Sequence, residues 1–424
     1  MKEALNLMQL KQISEINSIS NLPKIPALLL QEGYELLPNT SELFELEFAY
    51  YESKLLTEGD IIKRGAFFKS VNGLPTNHYI ICSNNNFLVW EGRSAITKSY
   101  FKEGNFSTGY ATHGLFPYRG KFHPQLIKGL LNILNIQHGE TVLDPMCGSG
   151  TLNVEASIMG IDSIGIEKSP FCVLMSKVKH EALKVDGSQL SGILSNMNKS
   201  YKLLISKKTL PKDFSWMDSF EPEKAITLLA FLDAMGYAKR TSKSINILFP
   251  SVLKRYAGQI NSFIQAREKL NLEIGKAQIE LGDARVLPLE DNSIDAIITS
   301  PPYSFAIDYA ENDRPQLEYL EYGVSVLKDE MIGLKGKTKK DKLANYFDDM
   351  DKTLSEMARV LKPNKYAVII IGSNDIQTGG IRLETKVEEF ALKHSFALDQ
   401  KMIKPIRGIQ NTMKDEYILF LRRV

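Results

Sequence analysis

Cysteine is scarce in this 424-residue sequence, which contains only Cys82, Cys147 and Cys172. Three cysteines cannot build the disulfide framework of a small secreted domain, and none of their spacings matches a paired zinc-binding motif. The low cysteine content favours a reducing compartment, where disulfides rarely persist. We therefore expect a cytoplasmic protein without a metal site.

Long apolar stretches and a dominant charge are also lacking. The sequence has no uninterrupted run of about 18 apolar residues, the length that a transmembrane helix needs, so we expect no membrane association. Lys and Arg total 52 and Asp and Glu total 50, which leaves a net charge of +2. So small a net charge permits nucleic-acid binding without requiring it, because a local basic surface matters more than the sum. The hydrophobic fraction of 43% is typical of a globular domain with a sizeable core.

Predicted strands alternate with predicted helices from about residue 111 to the end of the sequence. Short apolar runs predict strands at Thr141–Leu143, Ser163–Ile166, Gln278–Leu281, Ile294–Thr299, Tyr366–Ile371, Ala397–Ile403 and Tyr417–Leu421. Helices are predicted at Leu152–Met159, Leu343–Leu361 and Leu383–His394. Such alternation is typical of an α/β fold with a doubly wound, mostly parallel sheet, and the two adjacent final strands predict an antiparallel hairpin on it. We therefore predict a Rossmann-like sheet of seven strands.

Two regions do not share this alternation. Residues 1–110 form a small N-terminal region, in which the stretch His78–Trp90 alternates loosely and predicts a hairpin. An apolar stripe near its start predicts a helix that contains Leu5, Met8, Ile13 and Ile16. Residues 172–275 are mostly helical in pattern and interrupt the domain 111–424 between its second and third strands. This insertion is basic, with the pairs Lys207-Lys208, Lys239-Arg240 and Lys254-Arg255.

The stretch Asp144–Thr151 runs from an apolar strand through a glycine turn into a helix. Glycine can adopt positive φ and lets the backbone approach a ligand closely, and the start of the helix offers unpaired N–H groups. A turn of this kind can bind a nicotinamide, flavin or phosphate ligand. However, Asn153 replaces the third glycine of the dinucleotide fingerprint, and the Gly-Lys-Ser/Thr of a phosphate-binding loop is absent. The stretch therefore predicts a ligand site that matches neither fingerprint.

Acidic residues end three of the predicted strands. Asp144 precedes the glycine turn, Glu167 ends the second strand and Asp283 ends the third. Ligands of open α/β sheets bind at this carboxyl edge, where an acid can bind both ribose hydroxyls of a nucleoside. We assign that role to Glu167 and expect Asp283 to accept a hydrogen bond from an adenine amino group. The alternative for each acid is a helix cap or a loop salt bridge.

The fourth strand ends in Thr299-Ser300-Pro301-Pro302-Tyr303. Two prolines directly after a strand remove two N–H donors and fix φ twice, which leaves rigid carbonyl groups facing the crevice. An exocyclic base amine is a poor nucleophile, because its lone pair is conjugated with the ring. Acceptors such as the Ser300 hydroxyl and the Pro301 carbonyl would hold it in line with a methyl group. Tyr303 would stack on a base that has left the duplex. The alternative is an ordinary loop or a proline-rich ligand.

These motifs resemble those of the DNA modification methylases that act on amino groups. Asp144–Thr151 is similar to the family's Asp-Pro-Phe-x-Gly-Ser-Gly-Thr cofactor motif, with Met146 in place of phenylalanine. The segment Gly114–Pro124 resembles the family's segment before that motif. Ser300–Tyr303 with its preceding threonine is similar to the form that is typical of cytosine-N4 enzymes. The resemblance covers about residues 111–171 and 276–424.

The resemblance implies a methyltransferase that uses S-adenosylmethionine. Cofactor-binding residues would be Asp144, Met146, Cys147, Gly148, Gly150, Thr151, Glu167, Asp283 and Ala284. Catalytic residues would be Ser300, Pro301, Pro302 and Tyr303. The implied partners are double-stranded DNA with a flipped target base and a cognate restriction endonuclease. Many cytosine-N4 enzymes carry the two motifs in the opposite order, so the order here leaves the DNA-reading element open.

Several alternatives remain. Adenine-N6 enzymes and guanine-N2 enzymes of tRNA share the motifs but more often carry Asp or Asn where this sequence has Ser300. A non-catalytic protein with a decayed fold would have lost the glycines or the Pro-Pro-Tyr. Cys147 is no candidate nucleophile for carbon methylation, because it lies in the cofactor turn and no Pro-Cys pair occurs in the sequence. For DNA contacts we favour the insertion 172–275, with residues 1–110 and a predicted loop at Lys335–Lys342 as alternatives.

Overall fold

The computed structural model describes residues 29–40, 42–83, 108–118, 120–206, 221–303, 307–373, 378–406 and 415–424. The strands in chain order are β1 (Tyr34–Leu36), β2 (Phe68–Val71), β3 (Leu74–Pro75), β4 (Thr141–Asp144), β5 (Asp162–Glu167), β6 (Ala277–Leu281), β7 (Ile294–Thr299), β8 (Leu361–Gly372), β9 (Phe396–Pro405) and β10 (Asp415–Arg423). Strands β1–β3 form a small sheet, and β4–β10 form a sheet of seven.

The seven-stranded sheet has the order β6-β5-β4-β7-β8-β10-β9. Strands β4 to β8 pair in parallel, and β10 pairs antiparallel with both β8 and β9. The predicted Rossmann-like fold is therefore confirmed, including the final hairpin. The order reverses at β4, so β4 and β7 flank the position where such sheets bind ligands beyond their carboxyl ends.

The helices in chain order are α1 (Leu43–Leu55), α2 (Glu58–Arg64), α3 (Asn77–Ser83), α4 (Pro124–Ile133), α5 (Thr151–Ile158), α6 (Pro170–Glu181), α7 (Gly187–Ser195), α8 (Met197–Ile205), α9 (Pro222–Thr241), α10 (Ile245–Leu270), α11 (Tyr309–Asn312), α12 (Arg314–Tyr319), α13 (Val324–Glu330), α14 (Lys339–Val360) and α15 (Leu383–Lys393). One face of the large sheet packs with apolar side chains of α1, α4 and α5, and the other face packs with those of α14 and α15. Helices thus cover both faces of the sheet, which explains why the sequences of the central strands are continuously apolar.

The described part of the N-terminal region packs directly on the large sheet. Phe48 and Phe67 share an apolar cluster with Leu130 of α4 and Ile298 of β7. The predicted hairpin at His78–Trp90 is wrong where it is described, because Asn77–Ser83 forms α3. The Thr76 hydroxyl accepts a hydrogen bond from the Tyr79 backbone at 3.1 Å and so starts a helix. The predicted helix with Leu5, Met8, Ile13 and Ile16, like residues 84–90, lies outside the described residues.

The insertion is helical, as predicted, but its boundary shifts. Helix α6 packs on β5 and β6 as part of the α/β layer, so the added helices begin with α7. Helices α9 and α10 pack against each other through buried side chains such as Phe231 and Phe249. Arg255 is not available for phosphate contacts, because its guanidinium is bound to the buried Asp233. Lys239, Arg240 and Lys254 are exposed, and Lys207-Lys208 lies outside the described residues.

The predicted loop at Lys335–Lys342 is confirmed only before Lys339, because the remaining four residues belong to a helix. Helix α14 begins at Lys339, four residues before the predicted start. Thr338 caps it, because its hydroxyl accepts a hydrogen bond from the Asp341 backbone at 3.1 Å while its own N–H donates to the Asp341 carboxylate at 3.1 Å. Within the described ranges, no helix combines the length and the apolar character that crossing a bilayer demands. The same ranges contain no cluster of metal-ligating side chains.

Candidate active site

A cavity of about 510 Å³ lies at the carboxyl edge of the large sheet. Its volume falls within the range of about 300–1,000 Å³ that is usual for small-molecule sites. The cavity is lined by nine of the thirteen predicted site residues, namely Met146, Gly148, Glu167, Asp283, Ala284, Ser300, Pro301, Pro302 and Tyr303. The structure thus brings the predicted cofactor residues and the predicted acceptor residues together in one space.

The glycine turn and Glu167 form a rigid unit on one side of the cavity. One Glu167 carboxylate oxygen accepts a hydrogen bond from the Gly148 backbone at 2.8 Å, and the other accepts one from Ser169 at 2.9 Å. Burial raises the pKa of Glu167 above its usual range despite these hydrogen bonds. Gly148 has φ of +50°, and a Cβ at this position would meet no protein atom within 4 Å. The turn therefore leaves open space next to a fixed carboxylate.

Four predicted cofactor residues lie behind the cavity rather than along it: Asp144, Cys147, Gly150 and Thr151. Asp144 is fully buried and accepts hydrogen bonds from the Thr299 hydroxyl at 2.7 Å and the Met146 backbone at 3.1 Å. It thereby ties the end of β4 to the end of β7. Burial raises the pKa of Asp144 to about 7, and its second carboxylate oxygen has no hydrogen-bond partner.

Asp283 is held by a neighbouring arginine. Arg285 donates to its two carboxylate oxygens at 2.8 and 2.6 Å, and Lys168 lies 3.7 Å away. Burial alone would raise the pKa of Asp283, but the hydrogen bonds from Arg285 lower it on balance. Arg285 also binds Asp349 of α14 at 2.8 Å. Asp283 is therefore an ionised residue whose orientation is fixed, and Ala284 continues the same wall of the cavity.

The acceptor motif forms the opposite wall. The Ser300 hydroxyl donates to the Tyr303 hydroxyl at 3.2 Å, and the Tyr303 hydroxyl donates to Glu416 at 2.9 Å. Glu416 lies on β10 and forms an ion pair with Lys404 of β9. The Tyr303 ring also packs against the apolar core on the α14 side of the sheet, so it has little freedom to turn. Burial raises the pKa of Tyr303 well above its ordinary value, and the phenol stays protonated.

A further group of cavity residues near Glu167 was not among the predicted site residues, although Tyr118 lies in the segment Gly114–Pro124. Tyr118 and Tyr309 stack with their ring centroids 6.3 Å apart, and the thiol of Cys172 lies 3.4 Å from the Tyr118 hydroxyl. Asp313 lies beside them, 7% exposed. Its pKa is raised to about 7 by burial and by the charge of Glu167. Nothing in the sequence analysis pointed to Asp313, because only the fold brings this residue to the cavity.

The cavity has the features that a cationic nucleoside ligand needs. A side chain at position 148 would extend into open space, which glycine leaves to a ligand. Two buried acids, Glu167 and Asp313, line the same cavity. Asp283 adds a third carboxylate, and apolar atoms of Met146 and Ile332 complete the wall. Among the described residues, Cys147 and Cys172 are buried, and burial raises both thiol pKa values well above normal. Neither thiol is poised to act as a nucleophile.

Comparison with known families agrees with this arrangement. The profile of a DNA methylase family matches residues 294–423, which contain the acceptor motif and the final hairpin. A second profile, described as an RMKL-like methyltransferase domain, matches residues 115–203 around the glycine turn. Both matches support the resemblance to the DNA modification methylases. The cofactor of these methylases is S-adenosylmethionine, and the residues around Gly148 and Glu167 fit it.

Individual relatives cover parts of the chain. The Type II methyltransferase M.MjaII of Methanocaldococcus jannaschii is 45% identical over 85 residues, which is 20% of this chain and 16% of that protein. The Type II methyltransferase M.BsoBI of Geobacillus stearothermophilus is 23% identical over 326 residues, 60% of this chain and 62% of that protein. A tRNA (guanine(10)-N2)-dimethyltransferase of Methanothermobacter thermautotrophicus is 27% identical over 84 residues, 20% of this chain and 24% of that protein. The matched part of the chain thus spans less than two thirds of the length of each.

A solved structure of an S-adenosylmethionine-dependent methyltransferase of Methanosarcina mazei is also similar. It has a TM-score of 0.33 and 12% sequence identity, and the match covers 68% of this chain and 94% of that chain.

Proposed function

We propose that this methylase transfers a methyl group from S-adenosylmethionine to an exocyclic amine of a DNA base, namely N4 of cytosine. The observation that carries the proposal is the single cavity in which Gly148 and Glu167 face Ser300 and Tyr303. A cofactor held by the first pair and a base held by the second would share one space. Direct transfer requires this proximity, because it fixes the two reacting atoms in line.

On the cofactor side, the fixed Glu167 carboxylate would accept hydrogen bonds from the two ribose hydroxyls. Asp283 and Ala284 lie at the end of β6, where an adenine amino group and ring edge would be held. The backbone at Gly148 gives close access to the rest of the ligand. When bound, S-adenosylmethionine supplies an electrophilic methyl group attached to a positively charged sulfur.

On the base side, the Ser300 hydroxyl and the Pro301 carbonyl would accept hydrogen bonds from the two N–H groups of the target amine. The Ser300 hydroxyl donates its proton in a hydrogen bond to Tyr303, so the lone pairs of its oxygen can accept a hydrogen bond from the amine. Tyr303 stacks on the flipped base. Transfer is direct, since the described cysteines at the site, Cys147 and Cys172, are buried thiols. The serine form of the motif supports cytosine N4 over adenine N6.

For DNA binding we favour the helical insertion. Its exposed Lys239, Arg240 and Lys254 lie on helices that pack beside the cavity elements, and α9 contacts α12. Phosphate contacts by such residues position a protein on the duplex without reading its sequence. The names of the Type II relatives suggest a restriction-modification system, so a cognate endonuclease is the expected second partner.

RNA is the second candidate substrate. It is favoured by the match to a tRNA guanine-N2 dimethyltransferase, which covers 20% of this chain. Ser300 argues against it, because guanine-N2 enzymes more often carry Asp or Asn at that position.

A transfer assay with labelled cofactor tests the proposal. The protein is incubated with tritiated S-adenosylmethionine and, in parallel, with mixed-sequence duplex DNA, bulk tRNA or denatured protein. Label is expected in DNA alone. The Ser300→Ala variant should lose most transfer and keep cofactor affinity, because Ser300 faces the base. Label only in tRNA would overturn the substrate assignment, and full transfer by the variant would overturn the role of Ser300.

A further inference from the structure

A chain of hydrogen bonds leads from the acceptor motif to the edge of the cavity. The Ser300 hydroxyl donates to the Tyr303 hydroxyl at 3.2 Å, and Tyr303 donates to a carboxylate oxygen of Glu416 at 2.9 Å. Glu416 also pairs with Lys404, and both side chains are 19% exposed. The chain thus runs from the position of the target amine to a charged pair that contacts solvent.

Methyl transfer to an amine creates a proton that must leave. As the nitrogen forms its bond to the methyl carbon, the carbon–sulfur bond breaks and its electron pair stays on sulfur. The nitrogen then carries a positive charge and one proton too many. In a closed cavity such a charge is costly, so a group that accepts the proton as it develops lowers the barrier.

We propose that Ser300, Tyr303 and Glu416 form a relay that carries this proton from the methylated amine to solvent. The amine proton passes to the Ser300 oxygen, the Ser300 proton passes to the Tyr303 oxygen, and the Tyr303 proton passes to the Glu416 carboxylate. Each hydroxyl gains one proton and gives one up, so both end neutral. Glu416 becomes a carboxylic acid and afterwards releases its proton to water. This inference rests on the proposed transfer to a base amine.

The fold holds the end of the relay in place. Glu416 on β10 lies directly opposite Lys404 on β9 and Gly372 on β8 in the sheet register. The ion pair with Lys404 holds the carboxylate in place beside the cavity, which both residues line. Because burial raises the pKa of Tyr303 well above its ordinary value, this phenol does not exist as a free anion. It can pass a proton only by receiving another at the same time.

The other carboxylates of the region are unsuited to this role. Asp144 lies close to the acceptor motif through Thr299, but it is fully buried and does not line the cavity. Glu167, Asp283 and Asp313 belong to the cofactor side of the cavity. Within the described ranges, Glu416 is the carboxylate that is hydrogen bonded to Tyr303.

A double-mutant cycle on single-turnover methyl transfer tests the relay. Glu416→Gln keeps the size and the acceptor oxygen but cannot take up a proton, and Tyr303→Phe keeps the ring but removes the hydroxyl. Each is expected to slow transfer about 10²-fold, the usual effect of losing a proton acceptor. Dissociation constants for cofactor and DNA should change less than about twofold. Because both variants break one chain, the double variant should be no slower than the slower single variant.

Two further variants separate the relay from a structural role. Glu416→Asp retains a carboxylate and should recover part of the rate lost in Glu416→Gln. Glu388→Gln breaks the ion pair of 2.7 Å between Glu388 of α15 and Lys401 of β9, and should leave the rate unchanged. Melting temperatures of all variants verify folding.

The possible results are distinguishable. Wild-type rates in both single variants, or losses that multiply in the double variant, would overturn the relay and leave the proposed function intact. A slow Glu388→Gln variant would also overturn it, since an ion pair of β9 without contact to Tyr303 would then matter equally. A wild-type protein that binds cofactor and DNA but methylates no base amine would overturn the proposed function, and the relay with it.

Discussion

Gly148 and Gly150 occupy the same turn, yet replacing each with alanine is expected to damage different properties. Gly148 has φ of +50° and Gly150 has φ of +72°, so alanine at either position is strained by roughly 1–2 kcal/mol. A Cβ on Gly150 would lie 2.8 Å from the Ser176 Cβ and 3.1 Å from its Cα. A Cβ on Gly148 would meet no protein atom and would extend into the space next to the cavity.

These contacts set the expected magnitudes. The overlap of Gly150→Ala with Ser176 adds roughly 1–3 kcal/mol of overpacking. It also disturbs the hydrogen bond of 2.7 Å from the Ser176 hydroxyl to the Gly148 carbonyl, worth about 1 kcal/mol. Gly150→Ala should therefore lower the free energy of unfolding by roughly 3–6 kcal/mol in total. Gly148→Ala should lower it by only the strain, and should weaken cofactor binding at least about tenfold by occupying ligand space.

Urea denaturation and calorimetric titration with S-adenosylmethionine measure the two effects. Gly139→Ala is the matched control, because Gly139 has φ of +88°, open space around its Cβ and a position away from the cavity. It should show the strain alone, with unchanged cofactor affinity. The reasoning is refuted if Gly148→Ala binds the cofactor as tightly as the control does, or if Gly150→Ala is no less stable than Gly148→Ala.

Three further predictions concern buried carboxylates. Affinity for the cationic cofactor should rise with pH and level off above about 7, because the pKa of Asp313 is raised to about 7 and a bound cation favours its ionised form. Calorimetry from pH 6 to 8 should show this rise in affinity, and Asp313→Asn should abolish most of it. Burial raises the pKa of Glu52 from 4.5 to about 7, so its neutral form stabilises the fold below about pH 4.5, and this stability is lost as the pH rises toward 7. Thermal melts of Glu52→Gln should show a smaller loss of stability over this range, and a pH profile identical to that of the wild type would contradict the assignment. Glu167→Ala should weaken cofactor binding by about 1–3 kcal/mol, the cost of unpaired charged hydrogen bonds, and unchanged affinity would count against its role.

The sheet was predictable because its strands are short apolar runs with clear ends. All seven predicted strands of the large sheet appear, and the glycine turn and the Pro-Pro-Tyr follow β4 and β7 as expected. Strand ends that share one edge bring their side chains together, so nine of the predicted site residues could be placed around one cavity from the sequence. Strand β8 begins at Leu361, earlier than the predicted start at Tyr366, because the sequence Lys362-Pro363-Asn364 is typical of a turn.

Side-chain partners from distant parts of the chain could not be predicted. Glu416 reaches Tyr303 across 113 positions, and only the hairpin register brings it to the cavity. Arg255 resembled a phosphate contact in the sequence, but its partner Asp233 lies on a neighbouring helix and holds it inside the insertion. Asp144 resembled a ligand-binding acid, whereas its tie to Thr299 is visible only once β4 and β7 are paired.

The identity of the methylated nucleoside tests the central claim most directly. Duplex DNA of mixed sequence is incubated with the protein and with S-adenosylmethionine that carries a deuterated methyl group, and is then digested to nucleosides for mass spectrometry. The account predicts deuterium in N4-methylcytosine, and much less of it when Ser300→Ala replaces the wild-type protein. Deuterium in 5-methylcytosine would contradict transfer to an exocyclic amine, and deuterium in N6-methyladenine would contradict the assignment to cytosine.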